Sequence, residues 1–234
     1  MRELWVGRLG LVPYATALDL QRALAAARIS GEIDQDVLLL LEHPPVVTLG
    51  RGSKDGHLVA SPDFLKARGV EVFEVERGGD VTFHGPGQLV GYPIFDLKRH
   101  KQDLHWYLRN VEAGLIETLA ACGIEAERNP GFTGVWTGGR KIASIGVHAR
   151  DWVTWHGFAL NVVTDLSYFE LIVPCGISGV EMTSVARESG SGAPQVDEVA
   201  AIAADAFARL FALTAVDRTP QLATFATEAT TAPG

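Results

Sequence analysis

Residues 77–97 read RGGDVTFHGPGQLVGYPIFDL and contain five glycines and two prolines. Glycine and proline break helices, and the apolar segments at residues 81–84 and 89–95 are typical of strands. The Gly78-Gly79 pair favours a tight turn, because glycine adopts positive φ without steric cost. The stretch therefore predicts two neighbouring strands joined by a second glycine-rich loop.

Similar patterns occur on both sides of this stretch. Strands are predicted at residues 36–42, 46–49, 70–76, 134–137, 141–148 and 152–163. Helices are predicted at residues 13–27, 61–69, 102–122 and 196–213. Glycine-rich turns between neighbouring strands imply antiparallel pairing, and the helices are few and well separated. The chain is therefore predicted to have an α/β (α+β) fold with a mixed, largely antiparallel sheet and packed helices.

The 234 residues favour one large domain over two. We expect a single catalytic domain over residues 1–216 and a flexible tail over 217–234, whose end is small and polar. A net charge of −8 argues against nucleic-acid and membrane-surface partners. The N-terminus lacks the apolar core of a signal peptide, and no segment reaches the roughly 20 apolar residues that span a bilayer. These features predict a cytoplasmic protein with reduced thiols, and a monomer by default.

The loop HGPGQ at residues 84–88 has two interpretations. It can be a structural turn, or a loop whose exposed backbone N–H groups approach a ligand. It matches neither the P-loop pattern nor the GxGxxG pattern, so phosphate binding is not indicated. The basic run at residues 98–101 is either a solvated face or a docking patch for an acidic partner.

Lys141 and Cys175 form a second group of candidate functional residues, of which Cys175 is the candidate nucleophile. Lys141 follows a glycine turn and begins an apolar strand, where it could simply reach water. Cys175 lies between proline and glycine in IVPCGISG, a context that presents a thiol on a turn, whereas Cys122 lies in a predicted helix and is expected to pack as a small hydrophobe. The histidines are scattered without HxxxH or CxxC spacing, so neither a metal nor another cofactor is expected.

Residues 77–97 closely resemble the signature of the lipoyl(octanoyl) transferases, the octanoyl-[acyl-carrier-protein]:protein N-octanoyltransferase family. GGRKIASIGVHARDWVTWHGFALNV at residues 138–162 and PCGISGVEMTSV at 174–185 are similar to two further blocks of that family, in the expected order. EHPPVVTLGRG at residues 42–52 also matches. The resemblance spans about residues 35–188.

This resemblance implies the fold of biotin and lipoate protein ligase catalytic domains. It implies that Cys175 carries the acyl group as a thioester and that Lys141 is its partner. It further implies that a set of residues lines the substrate site: Arg77, Gly78, Gly79, Asp80, Val81, Thr82, Phe83, His84, Ser144, Ile145, Gly146, Gly157, Phe158 and Ala159.

The reaction implied is transfer of an octanoyl or lipoyl group from octanoyl-acyl carrier protein to a lysine. The acceptors would be the lipoyl domains of 2-oxoacid dehydrogenase E2 subunits and the glycine cleavage H protein. An ammonium beside Cys175 would favour its thiolate, and Lys141 could later take a proton from the acceptor amine. The backbone N–H groups of Gly78, Gly79 and Gly176 are candidate oxyanion donors. His84 is expected to line the site rather than act as a base.

Two alternatives remain open from the sequence. An ATP-dependent lipoate or biotin protein ligase of the same fold would release pyrophosphate and would need no cysteine–lysine pair. A non-catalytic binder of carrier domains would gain no covalent mass from an acylated carrier protein. Asp80 departs from the family pattern and is expected to face solvent.

Overall fold

The structure of the chain is a computed structural model, and it describes residues 2–54, 56–173, 179–190 and 192–231. Residues 174–178, which include Cys175 and Gly176, lie outside these ranges. The roles expected of those two residues therefore stay predictions.

Ten strands form two sheets in the described chain. They are β1 Arg2–Leu11, β2 Asp36–Glu42, β3 Val46–Leu49, β4 Glu71–Glu74, β5 Val81–His84, β6 Gln88–Ile94, β7 Val135–Thr137, β8 Arg140–Arg150, β9 Val153–Asn161 and β10 Leu213–Asp217. The large sheet has the order β10-β1-β2-β6-β9-β8-β7 and the small sheet the order β4-β3-β5. Pairing is parallel at β10-β1-β2 and at β4-β3, and antiparallel elsewhere. The predicted mixed, largely antiparallel sheet is confirmed.

Helices cover both faces of the large sheet. They are α1 Tyr14–Ser30, α2 Pro62–Ala67, α3 Leu104–Ala121, α4 Val185–Ser189, α5 Val196–Leu210 and α6 Thr219–Thr231. Helices α3 and α5 pack on one face and α1 and α6 on the other. None of the described helices is long and apolar enough to cross a bilayer.

Strand β2 shows why the sequence folds into this layered arrangement. Its run of apolar residues is buried on both sides, because successive side chains of a strand point to opposite faces. Leu38 and Leu40 join the core beneath α3 and α5, whereas Leu39 and Leu41 join the core beneath α1. A continuous apolar stretch is therefore the pattern of a central strand in a sheet covered by helices on both faces.

The C-terminal segment contains strand β10 and helix α6. Strand β10 pairs with β1, and α6 follows it directly, with the Asp217 carboxylate accepting a hydrogen bond from the Thr219 N–H at 2.9 Å. Leu222 is buried over Gly7 of β1, where a Cβ would come within 2.9 Å of the Leu222 side chain. Helix α6 thus packs against β1, which its small polar composition did not indicate, and the flexibility expected of residues 217–234 stays a prediction.

The small sheet is held against the large one by the turn that precedes β5. The N–H of Gly78 donates to the carbonyl of Val147 in β8 at 2.8 Å. A Cβ on Gly146 would lie 2.8 Å from the Gly78 carbonyl oxygen, so the absence of a side chain there permits the close approach. The two sheets meet along this line, and the space between them forms the candidate site.

Gly157 of β9 offers a test of this close packing. A Cβ there would lie 2.2 Å from the carbonyl oxygen of Gly91 and 2.6 Å from the Pro93 ring, so backbone would have to move. We expect Gly157→Ala to lower the free energy of unfolding by about 1–3 kcal/mol, the usual cost of overpacking. Urea unfolding would measure it, and Gly78→Ala, whose Cβ would make only a 3.4 Å contact, is the control. Equal midpoints for Gly157→Ala and the parent protein would contradict the packing argument.

Candidate active site

A pocket opens between the turn before β5, strands β8 and β9, and the start of α1. It contains about 460 Å3 of space not filled by protein atoms, part of it open to solvent. Its lining residues come from five separate parts of the chain. They are Tyr14, Arg77, Gly79, Asp80, Val81, Thr82, His84, Tyr92, Ser144, Ile145, Gly146, His156, Gly157, Phe158 and Ala159.

Most residues predicted for the substrate site meet at this pocket, and the exceptions are Gly78 and Phe83. Phe83 is buried in the small sheet, where its ring stacks on Tyr168 with centroids 4.6 Å apart. The N–H of Gly78 donates to the carbonyl of Val147, so Gly78 is not an oxyanion donor, contrary to expectation. That the gathered residues bind a substrate stays a prediction.

Three residues that line the pocket were not predicted from the sequence to belong to the site. Tyr14 lies in α1, upstream of the stretch that resembles a known family, and Tyr92 looks like an ordinary strand residue. His156 lies within one of the matching blocks, and its only local signal is the glycine that follows it. In the structure His156 has a φ of 56°, an uncommon conformation for a residue with a side chain, and its N–H donates to the Gln21 side-chain oxygen at 2.9 Å.

Arg77 is a buried cation that lines the pocket and hydrogen-bonds to the strand and the turn beside it. Its guanidinium donates to the carbonyl and the hydroxyl of Thr48 in β3, at 2.7 and 2.8 Å, and to the carbonyl of Gly78 at 3.1 Å. These bonds join the small sheet to the turn that follows Arg77. The arginine therefore fixes the turn and places a positive charge at the pocket wall.

Asp80 does not face solvent as expected. One of its oxygens accepts from the N–H of Val81 at 2.7 Å, and the other is 2.6 Å from Nδ1 of His57. Its side chain is only 10% exposed and lines the pocket. The carbonyl of His57 in turn accepts from the N–H of Val173, two residues before Cys175. Asp80 thus ties the glycine turn to the segment that leads to the candidate nucleophile.

A second buried imidazole, His43, supports the pocket through Tyr92. Nδ1 of His43 is 2.7 Å from the carbonyl oxygen of Val12, and Nε2 is 2.7 Å from the hydroxyl of Tyr92. Because a carbonyl can only accept, Nδ1 carries the hydrogen, and the neutral ring accepts from the tyrosine at Nε2. Burial lowers the pKa of His43 to about 4 and raises the pKa of Tyr92 well above its ordinary value.

Three buried histidines predict a stability that depends on pH. Burial lowers the pKa of His43 to about 4 and those of His84 and His156 to about 3. In the unfolded chain they titrate near pH 6.5, so between that pH and the folded values the unfolded state binds more protons. The free energy of unfolding should therefore fall as pH falls through this window, by about 1.4 kcal/mol per pH unit for each histidine.

Urea unfolding between pH 7 and pH 5 would measure this slope. We expect His43→Gln to make it shallower by about 1 kcal/mol per pH unit averaged over this range, since one titrating group is lost. His105→Gln is the control, because His105 is exposed on α3. An unchanged slope in His43→Gln would show that His43 does not stay neutral in the folded protein.

Lys141 lies near the pocket but is not among its lining residues. Its side chain is 1% exposed, with Nζ 4.9 Å from the ring centroid of Trp136, so it does not simply reach water. Its backbone pairs with the segment after Cys175: its N–H donates to the Glu181 carbonyl at 2.8 Å, and its carbonyl accepts from the Thr183 N–H at 2.9 Å. The strand that carries Lys141 is thus joined directly to the chain that follows the candidate nucleophile.

The ion pair of Arg140 and Glu188 strengthens this junction. The guanidinium of Arg140 in β8 donates to both carboxylate oxygens of Glu188 in α4, at 3.1 and 2.9 Å. Glu188 also accepts from the hydroxyl of Thr183. These hydrogen bonds, the one from Arg140 first among them, hold the pKa of Glu188 below its ordinary value.

The basic run at residues 98–101 is away from this pocket and is mostly neutralised. Each of the four side chains lies within 4 Å of a carboxylate, and His100 is buried against Asp36 at 2.7 Å. None of the four lines the pocket. In the part of the chain that the structure describes, no three histidine, cysteine or acidic side chains come together as metal ligands would.

Solved structures similar to this chain in architecture include protein ligases. The chain matches lipoate-protein ligase A bound with ATP at a TM-score of 0.76 and 17% identity, over 97% of this chain and 93% of that one. A bi-partite lipoate protein ligase from Thermoplasma acidophilum gives 0.76 and 16%, over 97% and 92%. Biotin protein ligase from Aquifex aeolicus gives 0.52 and 12%, over 91% and 71%. These likenesses show the fold, and they confirm the predicted fold of the biotin and lipoate protein ligases.

Curated relatives are much more similar in sequence. An octanoyltransferase of Gloeobacter violaceus is 54% identical over 202 residues, which are 86% of this chain and 87% of that protein. An octanoyltransferase of Solibacter usitatus is 52% identical over 211 residues, 90% and 94% of the two chains. The family model of the lipoyl protein ligase A/B catalytic domain matches residues 13–208. The chain therefore belongs to that family, and it is an enzyme of the acyltransferase class.

Proposed function

We propose that this enzyme moves an octanoyl or lipoyl group from acyl carrier protein to a lysine of lipoyl domains, through a thioester on Cys175. The observation that carries the proposal is the burial of Lys141 on a strand whose backbone pairs with residues 181–183. Residues 174–180 connect that segment along the chain to Val173, whose N–H donates to the carbonyl of His57. In the chain sequence, Cys175 lies between two anchored segments, one paired with the strand of the buried Lys141 and the other joined through His57 to the pocket-lining Asp80.

The pocket suits the acyl chain. Val81, Ile145, Phe158 and Ala159 give it apolar walls, and the glycine at 146 lets the turn before β5 lie close to β8. Each buried methylene is worth roughly 0.8 kcal/mol before the costs of binding. An unbranched chain of eight carbons would therefore gain several kcal/mol here.

In the first half-reaction the Cys175 thiolate attacks the carbonyl carbon of the donor thioester. A new C–S bond forms, the donor C–S bond breaks, and the pantetheine sulfur leaves as a thiolate that takes up a proton. Exchange of one thioester for another is close to balanced in energy, so no nucleotide is needed. The ammonium of Lys141 favours the reactive thiolate, since a nearby cation lowers the pKa of a thiol.

In the second half-reaction the ε-amine of the acceptor lysine attacks the enzyme thioester. The C–N bond of the amide forms, the C–S bond to Cys175 breaks, and the amine gives up a proton. We assign that proton to Lys141, which must have lost its own to the departing pantetheine sulfur in the first half-reaction. The acceptors are the lipoyl domains of 2-oxoacid dehydrogenase E2 subunits and the glycine cleavage H protein.

One experiment separates this proposal from an ATP-dependent ligase of the same fold. The protein is mixed either with octanoyl-acyl carrier protein and a lipoyl domain, or with lipoate, ATP and the same domain. We expect the lipoyl domain to gain one octanoyl mass in the first mixture and no pyrophosphate to form in the second. Pyrophosphate release together with an unmodified domain in the first mixture would reverse the assignment.

A further inference from the structure

A row of buried polar side chains beside the pocket has no role in the chemistry above. It contains His84 at the end of β5, Gln88 at the start of β6 and Asn161 at the end of β9. Gln88 and Asn161 are each 1% exposed and His84 is 7% exposed. Burying amides costs free energy unless every polar atom finds a partner, so such a row calls for an explanation.

The direction of each hydrogen bond in the row follows from the bond at the end of the row that is farthest from His84. The carbonyl of Thr183 can only accept, so Asn161 gives it an N–H at 2.9 Å and turns its own oxygen toward Gln88. Gln88 donates to that oxygen at 2.9 Å and to the carbonyl of Phe83 at 3.1 Å. Its remaining oxygen lies 2.8 Å from Nδ1 of His84. Nδ1 must therefore carry the hydrogen.

This arrangement leaves Nε2 of His84 as the ring nitrogen that can meet a ligand. The ring plane is held by Tyr14, which stacks on it with centroids 6.1 Å apart, and by His43, whose ring lies edge-on at 5.8 Å. His84 lines the pocket. In the neutral Nδ1–H form, Nε2 is an acceptor of hydrogen bonds and not a donor.

The chemistry of the two substrates decides which of them can form a hydrogen bond with Nε2 of His84. A thioester carbonyl offers only lone pairs, and so does the oxyanion that it becomes. An unprotonated Nε2 would repel both. A lysine ε-amine brings N–H groups, and it attacks with its lone pair only when those N–H groups point away from the carbonyl carbon.

We propose that Gln88 and Asn161 are positioning residues that hold His84 in the Nδ1–H form, so that its Nε2 accepts a hydrogen bond from the attacking amine. This inference rests on the proposed function and deepens its second half-reaction. His84 orients the amine and takes no proton, because burial lowers its pKa to about 3, too low for a base at neutral pH. The row also links His84 to Thr183, whose N–H pairs with the Lys141 carbonyl.

Gln88→Met is the direct test, since methionine fills similar space without polar atoms. We expect acyl-enzyme formation to stay within about threefold of the parent protein, and transfer from the isolated acyl-enzyme to a lipoyl domain to fall about 100-fold. In 15N-histidine NMR spectra the His84 signals should lose the pattern of a fixed Nδ1–H ring. Transfer at the parent rate with an unfixed His84 would overturn the proposal.

Thr118→Val is the matched control. Thr118 is fully buried in α3, on the other face of the sheet, and its hydroxyl donates to the Gly114 carbonyl at 2.7 Å. It loses one buried side-chain hydrogen bond, whereas Gln88→Met loses three, so some loss of stability is expected without a loss of transfer. If the parent protein forms no acyl-enzyme at all, the proposed function fails; if it does and Gln88→Met transfers normally, this inference alone fails.

Gln88→Glu is a second test, for use if Gln88→Met folds poorly. A carboxylate next to Nδ1–H favours the doubly protonated ring, so the pKa of His84 rises and Nε2 becomes a donor as pH falls. We expect transfer to decline toward low pH at a higher pH than in the parent protein. A pH profile identical to the parent's would count against the proposal. The titratable and charged groups that face His84 are Tyr14, His43, Arg77 and His156.

Discussion

Replacing Cys175 with serine is expected to reduce octanoyl transfer by about 10⁴-fold or more, with the fold unchanged. A hydroxyl is far less ionised than a thiol at neutral pH, and removing the nucleophile from a covalent mechanism usually costs rates of this order. Intact-mass analysis after mixing with octanoyl-acyl carrier protein would show the difference directly. The parent protein should gain one octanoyl group, and Cys175→Ser should gain none.

Cys122 provides the control for this experiment, because it is the other thiol of the chain. It lies at the C-terminal end of α3, where burial, with a smaller effect of Glu198, raises the pKa of its thiol and disfavours the thiolate. Cys122→Ala should therefore acquire the octanoyl mass at the parent rate. Loss of the adduct in Cys122→Ala, or its persistence in Cys175→Ser, would show that the acyl group is carried elsewhere.

Sequence patterns predicted those strands and helices whose residue pattern is typical of only one kind of structure. The run at residues 36–42 is apolar at nearly every position, and burial on both faces produces just that pattern. Strand β1 was missed because arginine and glycine interrupt its alternation at Gly7, Arg8 and Gly10. Helix α6 was missed because its stability comes from contacts with β1 and α1 rather than from its own small residues.

The sequence predicted only those site residues that belong to contiguous motifs. The blocks at residues 77–84, 144–146 and 157–159 come together at one pocket because β8 and β9 are paired and the turn before β5 lies over them. Tyr14 and Tyr92 enter through tertiary packing, which no local pattern encodes. Asp80 looked like a solvent-facing charge, since its partner His57 is 23 positions away in the chain.

Lysine 141 provides a second large effect, because its two proposed roles need different properties. Stabilising a thiolate needs a positive charge, whereas receiving a proton from the amine needs a group that can be neutral. Arginine keeps the charge but stays protonated at working pH, and methionine has neither property. We therefore expect Lys141→Arg to retain part of acyl-enzyme formation, and Lys141→Met to lose most of it.

In transfer from the acyl-enzyme to the lipoyl domain, both variants should be about 10²- to 10⁴-fold slower, the usual contribution of a positioned acid or base. The side chain is fully enclosed, and a Cβ on Gly134 would lie 2.9 Å from its Cε, so arginine must fit a tight space. A thermal unfolding midpoint close to the parent's would show that the fold tolerates it. Given that, Lys141→Arg at full speed in both half-reactions would reduce Lys141 to a fixed charge and send the amine proton to solvent or to the leaving sulfur.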